Sequence, residues 1–376
     1  MEPRKHYATV DTPVRRNIVV SAVNIRKGGT LTVLRECLQY LSGRADLHVT
    51  ALVHSRALCE FPGIDYIEIP WSTESWLKRL KCEYITMKGI SRQLPETDLW
   101  LSLHDTTPRV KAKRQAVYCH TSFPFMKPTL RDLRMDGKIV LFSLFTRYAY
   151  KWNVKRNRYL IVQQDWMRQG LSKMLGFPQK RIIVAPPSFR PLAFEPAPAK
   201  RPPVFLYVGT PDCHKNFETL FKAARLLEKQ LGKDAFKVVV TVKGDENRYA
   251  QWLRRNWGGT DSIDFQGFLS KDELAKAYGE ASCLVFPSRT ETWGLPISEF
   301  SPSGKPMILA DLPYAHGTAS GAASVAFFPV KNAERLASLM QEVIRGSLDS
   351  FGPVPVQDIR QPYAAGWDEL FDILLK

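Results

Sequence analysis

The sequence predicts two successive α/β domains, each a Rossmann-like, doubly wound parallel sheet, and three observations carry that reading. Apolar runs of strand length alternate with helical patterns along nearly the whole chain, the pattern of parallel sheets joined by crossover helices. The alternation breaks once, at a stretch with five prolines between residues 190 and 203, and then restarts. With 376 residues the chain is long enough for two domains of ordinary size. The expected organisation is therefore a first domain at 1–190, a linker at 191–203, a second domain at 204–360 and a closing helix within 361–376. Two such domains place a ligand cleft between their strand ends.

Periodicity predicts the elements in order. In the first domain, short apolar runs predict strands at 17–24, 47–53, 66–69, 99–103, 116–119, 159–162 and 182–185. Helical spacing falls at 30–41, 75–93, 129–152 and 166–175. After the linker, strands are expected at 204–208, 238–242, 263–266, 284–286, 307–309 and 325–328. Helices are expected at 217–231, 248–257, 271–278, 296–302 and 333–344. The first of these has Asn216 as N-cap and a buried stripe of Leu220, Ala224, Leu227 and Leu231. The last segment, 362–375, places Trp367, Leu370, Phe371 and Leu374 on one side of a helix.

Composition narrows the class. Hydrophobic residues make up 44% of the chain, enough for real cores. The start of the sequence shows no apolar signal segment, and the greasiest run, 139–145, is far too short to span a bilayer. The six cysteines (Cys37, Cys59, Cys82, Cys119, Cys213 and Cys283) have no C-x-x-C spacing, so they read as reduced packing residues of a cytosolic protein.

The densest chemistry lies between Phe286 and Pro306. The apolar run 283–287 reads as a strand, Pro296 suits the first turn of a helix, and Gly304 ahead of Lys305 and Pro306 suits its stop. Glu291 then falls on the strand-to-helix loop, and Glu299 lies about one turn into the helix. The amides of Gly294 and Leu295, at the helix start, form an anion site. Two carboxylates bracketing a phosphate cradle suit a ligand with hydroxyls on both sides of a diphosphate, and a nucleotide sugar is such a ligand.

This stretch resembles the E-x7-E signature of the retaining glycosyltransferases of family 4, which have the GT-B fold. The likeness covers Phe286, Pro287, Ser288, Glu291, Gly294, Leu295, Pro296, Glu299, Gly304, Lys305 and Pro306. The resemblance implies that Glu299 binds ribose hydroxyls and that Lys215 with the Gly294 and Leu295 amides stabilises the leaving diphosphate. It implies that Glu291 holds the donor sugar near the reaction centre and that the neighbouring Trp293 belongs to the donor site. It also implies front-face displacement with no protein nucleophile, no cofactor or metal, and a final helix that crosses back onto the first domain.

Other turns fit the same scheme. Gly209, Thr210, His214, Lys215 and Asn216 form the first strand-to-helix turn of the second domain, where a glycine admits close backbone approach and Lys215 can reach a diphosphate. The family usually has an arginine where Thr210 stands and a cation where His214 stands, so only Lys215 carries over. Gly267 and Phe268 resemble the loop that meets the nucleotide base. In the first domain, Gly28 and Gly29 match the family's glycine-rich loop on the acceptor or sugar side, and His120 matches a histidine that touches the donor sugar. His104 and Asp105 form a second strand-end pair. The family often carries an acidic residue after the strand at 307–309; here none occurs from Leu312 to Asn332.

The net charge of +16 is uneven: residues 1–200 carry 33 Lys and Arg against 16 Asp and Glu, while the remainder carries 20 against 21. A basic half implies an anionic partner. Trp76, Leu77, Leu80, Tyr84 and Ile85 alternate with Lys78, Arg79, Lys81 and Lys88, and a second basic set flanks 139–152. Basic amphipathic helices with aromatic anchors suit an anionic membrane surface. No nucleic-acid-binding motif accompanies the charge, so no nucleic-acid partner is expected. The expected protein is a retaining glycosyltransferase at the inner face of the cytoplasmic membrane, moving sugar from a nucleoside diphosphate donor to a lipid-linked or saccharide acceptor for surface glycan. A nucleotide-sugar epimerase and a non-catalytic GT-B binding protein are the alternatives.

Overall fold

The computed structural model describes residues 15–187, 192–194 and 202–376. The start of the chain and most of the proline-rich linker lie outside these. The chain contains β1 (Arg16–Ala22), α1 (Gly28–Ser42), β2 (Leu47–Val53), β3 (Ile64–Glu68), α2 (Trp76–Lys81), α3 (Met87–Gln93), β4 (Leu99–Ser102) and β5 (Arg114–Tyr118). Next come α4 (Leu130–Met135), α5 (Gly137–Lys151), β6 (Tyr159–Val162), α6 (Asp165–Leu175) and β7 (Ile182–Val184). The later half contains β8 (Val204–Tyr207), α7 (Phe217–Leu231), β9 (Lys237–Val240), α8 (Arg248–Trp257), β10 (Ile263–Phe265), α9 (Lys271–Glu280) and β11 (Cys283–Phe286). It ends with α10 (Leu295–Phe300), β12 (Met307–Ala310), α11 (Pro313–Thr318), β13 (Val325–Phe328), α12 (Ala333–Arg345) and α13 (Trp367–Leu375).

The strands form two sheets, ordered β3-β2-β1-β4-β5-β6-β7 and β10-β9-β8-β11-β12-β13. The paired strands run parallel, as in Val19 against Thr50 and Leu206 against Val239. In each sheet the order reverses beside the strand that comes first in sequence. Loops leaving β8 and β11 therefore emerge side by side, as do those leaving β1 and β4. That reversal is where open α/β sheets bind ligands.

Contacts divide the chain into two units that do not follow chain order. The first comprises Met1–His120, Trp152–Ile161 and Ala364–Lys376; the second comprises Thr121–Lys151 and Val162–Tyr363. The first unit is filled by Ile18, Val20, Leu101 and Val117 from its central strands. α13 belongs to it, with the Phe371 ring stacked on Tyr40 at 5.5 Å. The second unit is filled by Phe205, Tyr207, Phe217, Phe286 and Phe300.

Several elements depart from the periodicity reading. The helix expected at 75–93 is α2, a π-helical turn over Cys82–Thr86, and α3. Glu83 within that turn is 2% exposed and ion-paired to Arg79. The helix expected at 129–152 breaks at Asp136, whose carboxylate accepts from the amides of Lys138 and Ile139 and so starts α5 afresh. Asn216 precedes α7 but does not cap it. Its backbone is left-handed (φ 58°), and its side-chain amide donates to the carbonyls of Pro287 (3.0 Å) and Val330 (2.9 Å). Leu231 lies outside the buried stripe, 37% exposed at the helix end. α11 escaped the reading, being one short helix opened by Pro313. All six cysteines are buried free thiols.

Candidate functional site

In the second unit, the loops after β8 and β11 meet at Lys215 and Glu291. Lys215 Nζ lies 2.6 Å from Glu291 Oε1, and the Ser288 hydroxyl donates to the same oxygen at 2.6 Å. Both charged side chains are about six-sevenths buried, at 15% and 14% exposure. Burial pushes the Glu291 carboxyl up, but Lys215 and His214, with the hydrogen bonds from Lys215 and Ser288, more than offset it and hold the group below its ordinary value. The backbone of Lys215 is pinned as well, its carbonyl accepting from the Tyr207 hydroxyl at 2.8 Å.

Gly294 begins α10 in a left-handed conformation (φ 98°), and a Cβ there would sit 3.3 Å from Ile297 Cδ1. The left-handed backbone requires glycine, and a side chain would also crowd Ile297. α10 is six residues long and runs on into a 3-10 turn at Ser301–Ser303, so the amides of Gly294 and Leu295 count for more than any helix dipole. Among the described hydrogen bonds neither amide is a donor. Pro296 sits in the first turn, and left-handed Gly304 closes the 3-10 turn.

Glu299, on α10, accepts from the Tyr278 hydroxyl at 2.7 Å. Burial raises its carboxyl pKa, and the Tyr278 bond and Lys271 only partly offset that rise. The site therefore contains two carboxylates in opposite regimes, Glu291 held ionised and Glu299 eased towards protonation. Gly209 is fixed by Thr241, which accepts from its amide at 2.9 Å and donates to its carbonyl at 3.1 Å. Thr210 is exposed and spends its hydroxyl on Asp212, at 2.6 Å. Phe268 follows left-handed Gly267 and is 92% exposed. The Trp293 indole donates to Ser298 Oγ at 2.8 Å, while its carbonyl accepts from Thr318 and, at 3.5 Å, from Gln164.

Two residues that the sequence reading passed over tie this cluster together. Arg289, between Ser288 and Glu291, forms a two-pronged ion pair with Asp132 of α4. The same guanidinium donates to the Cys213 carbonyl at 3.1 Å, and the Arg289 amide donates to the His214 carbonyl at 2.7 Å. One side chain thus holds α4, the β8 loop and the β11 loop in register. His214 is buried under the edge of the Phe123 ring at 5.2 Å, and burial, then Lys215, lowers its pKa to about 4. It is neutral at ordinary pH, so it does not supply the second cation of the family pattern.

The remaining candidates belong to the first unit. His120 stacks flat on Tyr118 (4.3 Å between ring centres, 6° between planes) and is 9% exposed. Neither ring nitrogen has a partner among the described residues, and burial, then His104, lowers its pKa to about 3. Gly28, left-handed at φ 73°, opens α1 with Gly29 beside it, both exposed. His104 is 1% exposed and bonded to Ser21 at 2.9 Å and Thr106 at 3.1 Å, which makes it part of the packing.

Comparisons with known proteins bear on the family and on the fold. Residues 189–350 match the family model described as glycosyl transferases group 1. The O-antigen chain mannosyltransferase RfbU of Salmonella typhimurium is 25% identical over 214 residues, 57% of this chain and 56% of the relative. The chain spans about half the length of the curated relatives it matches. Among solved structures, WaaG, a glycosyltransferase involved in lipopolysaccharide biosynthesis, superposes with a TM-score of 0.64 at 15% identity, covering 88% of this chain and 91% of that one. HepE of Anabaena, solved with UDP-glucose, gives 0.62 at 13% identity, covering 89% and 91%. At such identities the structural likeness speaks to the fold.

Proposed function

From the match of residues 189–350 to the group 1 glycosyl transferases and from the GT-B fold, we propose that the protein transfers a sugar, with retention, from a nucleoside diphosphate donor to a lipid-linked or saccharide acceptor in surface-glycan synthesis of the lipopolysaccharide or O-antigen kind. The observation that carries the proposal is the Lys215–Glu291–Ser288 cluster at the strand reversal, beside the free amides of Gly294 and Leu295. Lys215 and those amides stabilise the charge that develops on the departing diphosphate, without a metal or other cofactor. Glu291 orients the donor sugar, Glu299 takes the ribose hydroxyls, and Gly209, Thr210, Phe268 and Trp293 complete the donor side. On the resemblance alone we assign His120, Gly28 and Gly29 to the sugar and acceptor side. The O-antigen chain mannosyltransferases among the relatives support the acceptor class.

The direct experiment incubates the protein with a panel of nucleotide sugars and membrane lipid extract and follows release of nucleoside diphosphate. The anomeric configuration of the product is then read by NMR. Diphosphate release with a retained anomeric centre supports the reading. Sugar isomerisation without an acceptor, or nucleotide binding without turnover, overturns it in favour of an epimerase or a binding protein.

Glu299 offers a narrower test. Loss of a charged hydrogen-bond acceptor costs about 1–3 kcal/mol. Glu299→Ala is therefore expected to weaken nucleoside diphosphate binding by roughly five- to a hundred-and-fiftyfold. Unchanged affinity in calorimetry removes Glu299 from the donor site.

We also propose a peripheral location on an anionic membrane surface at the inner face of the cytoplasmic membrane. No helix among the described residues is long and apolar enough to cross a membrane. In the first unit α2 and the turn after it expose Trp76 (69%), Leu77, Leu80 and Ile85, beside Lys78 and Lys81. In the second unit α5 exposes Leu141, Leu144, Phe145 and Tyr148 at helical spacing, while Val140, Ser143, Thr146 and Tyr150 are buried. Insertion of a Leu or Phe side chain contributes about 1.5–3 kcal/mol. The pair Leu144→Glu and Phe145→Glu is therefore expected to abolish sedimentation with vesicles containing phosphatidylglycerol while sparing nucleotide binding. Wild-type binding is expected to fall as salt rises. Equal binding to neutral and anionic vesicles, or to neither, overturns the assignment.

A further inference from the structure

The second unit holds a pocket of about 840 Å³ that is separate from the Lys215–Glu291 cluster, since Lys215, Glu291 and Glu299 are all missing from its wall. Its size lies within the range of small-ligand sites, about 300–1,000 Å³. The wall gathers the amides of Gln163, Gln169 and Gln357, the indoles of Trp166 and Trp293, and the Tyr363 ring. No lysine or arginine lines it, and its single carboxylate, Asp165, is ion-paired to Arg168 and accepts from Gln169 at 2.6 Å. A phosphate would meet no lysine or arginine here, and His316, the one imidazole on the wall, is bonded to Asp311 at 2.7 Å. Hydroxyl groups, by contrast, meet neutral partners that both donate and accept, set among flat rings that are apolar on their faces.

A second observation points the same way. Gln163 is 6% exposed and Gln164 3%, yet the side-chain oxygen of each lacks a hydrogen-bond partner among the described residues, as does the Trp166 indole nitrogen. Buried polar groups left unpaired cost about 1–3 kcal/mol each. These atoms lie beneath the wall's surface, so what the wall presents to an occupant is the exposed amides of Gln169 and Gln357, which both give and receive hydrogen bonds as a sugar hydroxyl does.

The pocket also touches the donor loop. Trp293 belongs both to its wall and to the loop between Glu291 and Gly294. The Trp293 carbonyl is held by Thr318 and by Gln164, whose amide nitrogen also donates to Thr318 Oγ1 at 2.8 Å and to the Tyr314 carbonyl at 3.2 Å. An occupant therefore bears on residues that set the position of this loop.

We propose that this pocket is a second ligand site that takes a neutral saccharide unit, apart from the nucleotide-sugar site. The source is either a sugar residue of the acceptor glycan or a free saccharide that modulates the enzyme; only this choice of source rests on the glycosyltransferase reading. The test titrates the whole protein with mannobiose and with maltose, by calorimetry and by the fluorescence of its tryptophans, with and without a saturating nucleoside diphosphate. Two variants change exposed wall residues outside the donor machinery, Ala323→Trp to fill the pocket and Gln357→Ala to remove an amide. Wild type is expected to bind at least one disaccharide whether or not nucleotide is present. Ala323→Trp is expected to weaken that binding at least tenfold and Gln357→Ala severalfold, with nucleoside diphosphate affinity and melting temperature unchanged. A raised acceptor KM in Ala323→Trp identifies the acceptor as the source; an unchanged KM with lost sensitivity to added disaccharide identifies a modulator. No disaccharide binding to wild type overturns the proposal, and so does binding that nucleotide abolishes or that neither variant weakens. If disaccharide binds as described and no nucleotide does, the donor-site reading falls and the pocket stands.

Discussion

Lys215→Ala is expected to lower turnover by about two to three orders of magnitude, the cost of removing one preorganised group that stabilises developing charge. The geometry makes Lys215 the only cation bonded to Glu291 among the described residues, because Thr210 and neutral His214 occupy the other two places of the family pattern. The substitution acts twice. It removes the charge that meets the departing diphosphate, and it leaves a buried carboxylate with only Ser288 bonded to it. With its cation gone, burial of Glu291 is offset only by His214 and the Ser288 hydrogen bond, so its pKa rises. The sign follows. In wild type the depressed carboxyl contributes stability above about pH 4.5, lost as the pH falls through the lower folded-state pKa. In Lys215→Ala that contribution shrinks, and residual activity should fall off at a higher pH on the acid side. Lys215→Arg keeps the charge and should retain the acid limb of wild type with part of the rate. The double variant Lys215→Ala/Glu291→Gln should lose little beyond either single change, since the two act as one unit. Turnover of Lys215→Ala within fivefold of wild type, measured on the identified donor, removes Lys215 from the chemistry.

Much of this site was legible because its members lie close in sequence and follow local rules. Pro296 at a first helical turn and left-handed Gly294 and Gly304 have no easy substitutes, so the loop and short helix could be read from residue types alone. The parallel sheets were equally legible, because buried strands are short apolar runs whatever they pair with. What escaped the reading has long-range or competing causes. Asp132 and Arg289 lie 157 positions apart, and nothing near either one announces the other. Gln164 reaches Thr318 across 154 positions. Asn216 looked like a cap because asparagine usually caps, but two distant carbonyls took its side chain. The π turn at Cys82–Thr86 coincides with burial of the Glu83 carboxylate, which helical periodicity does not register.

The second large effect concerns that unread pair. Arg289 is 11% exposed and Asp132 2%, and both prongs of the guanidinium are engaged. Burial pushes the Asp132 carboxyl up, but the Arg289 bond, the Thr129 amide and the nearby guanidinium charge outweigh it and hold it below its ordinary value. Removing one partner of a buried pair strands the other and costs about 3–5 kcal/mol. Arg289→Ala is therefore expected to destabilise the second unit by that amount, seen as a fall in denaturation midpoint at neutral pH. Because Arg289 also holds the carbonyls of Cys213 and His214, next to Lys215, it is a positioning residue, and its loss should reach beyond stability. Nucleoside diphosphate affinity of the folded fraction should fall even at a temperature where the variant is fully folded. Arg289→Lys keeps a charge but not the fork, and should recover stability more than affinity. Asp132→Asn strands the arginine instead and also weakens the Thr129–Asp132 capping box of α4, leaving the loop contacts of Arg289 in place. It should thus lower stability with a smaller effect on nucleotide binding. If Arg289→Ala and Asp132→Asn shift stability and nucleotide affinity in the same proportion, the pair is only a tie between segments, and Arg289 does not position the donor loops.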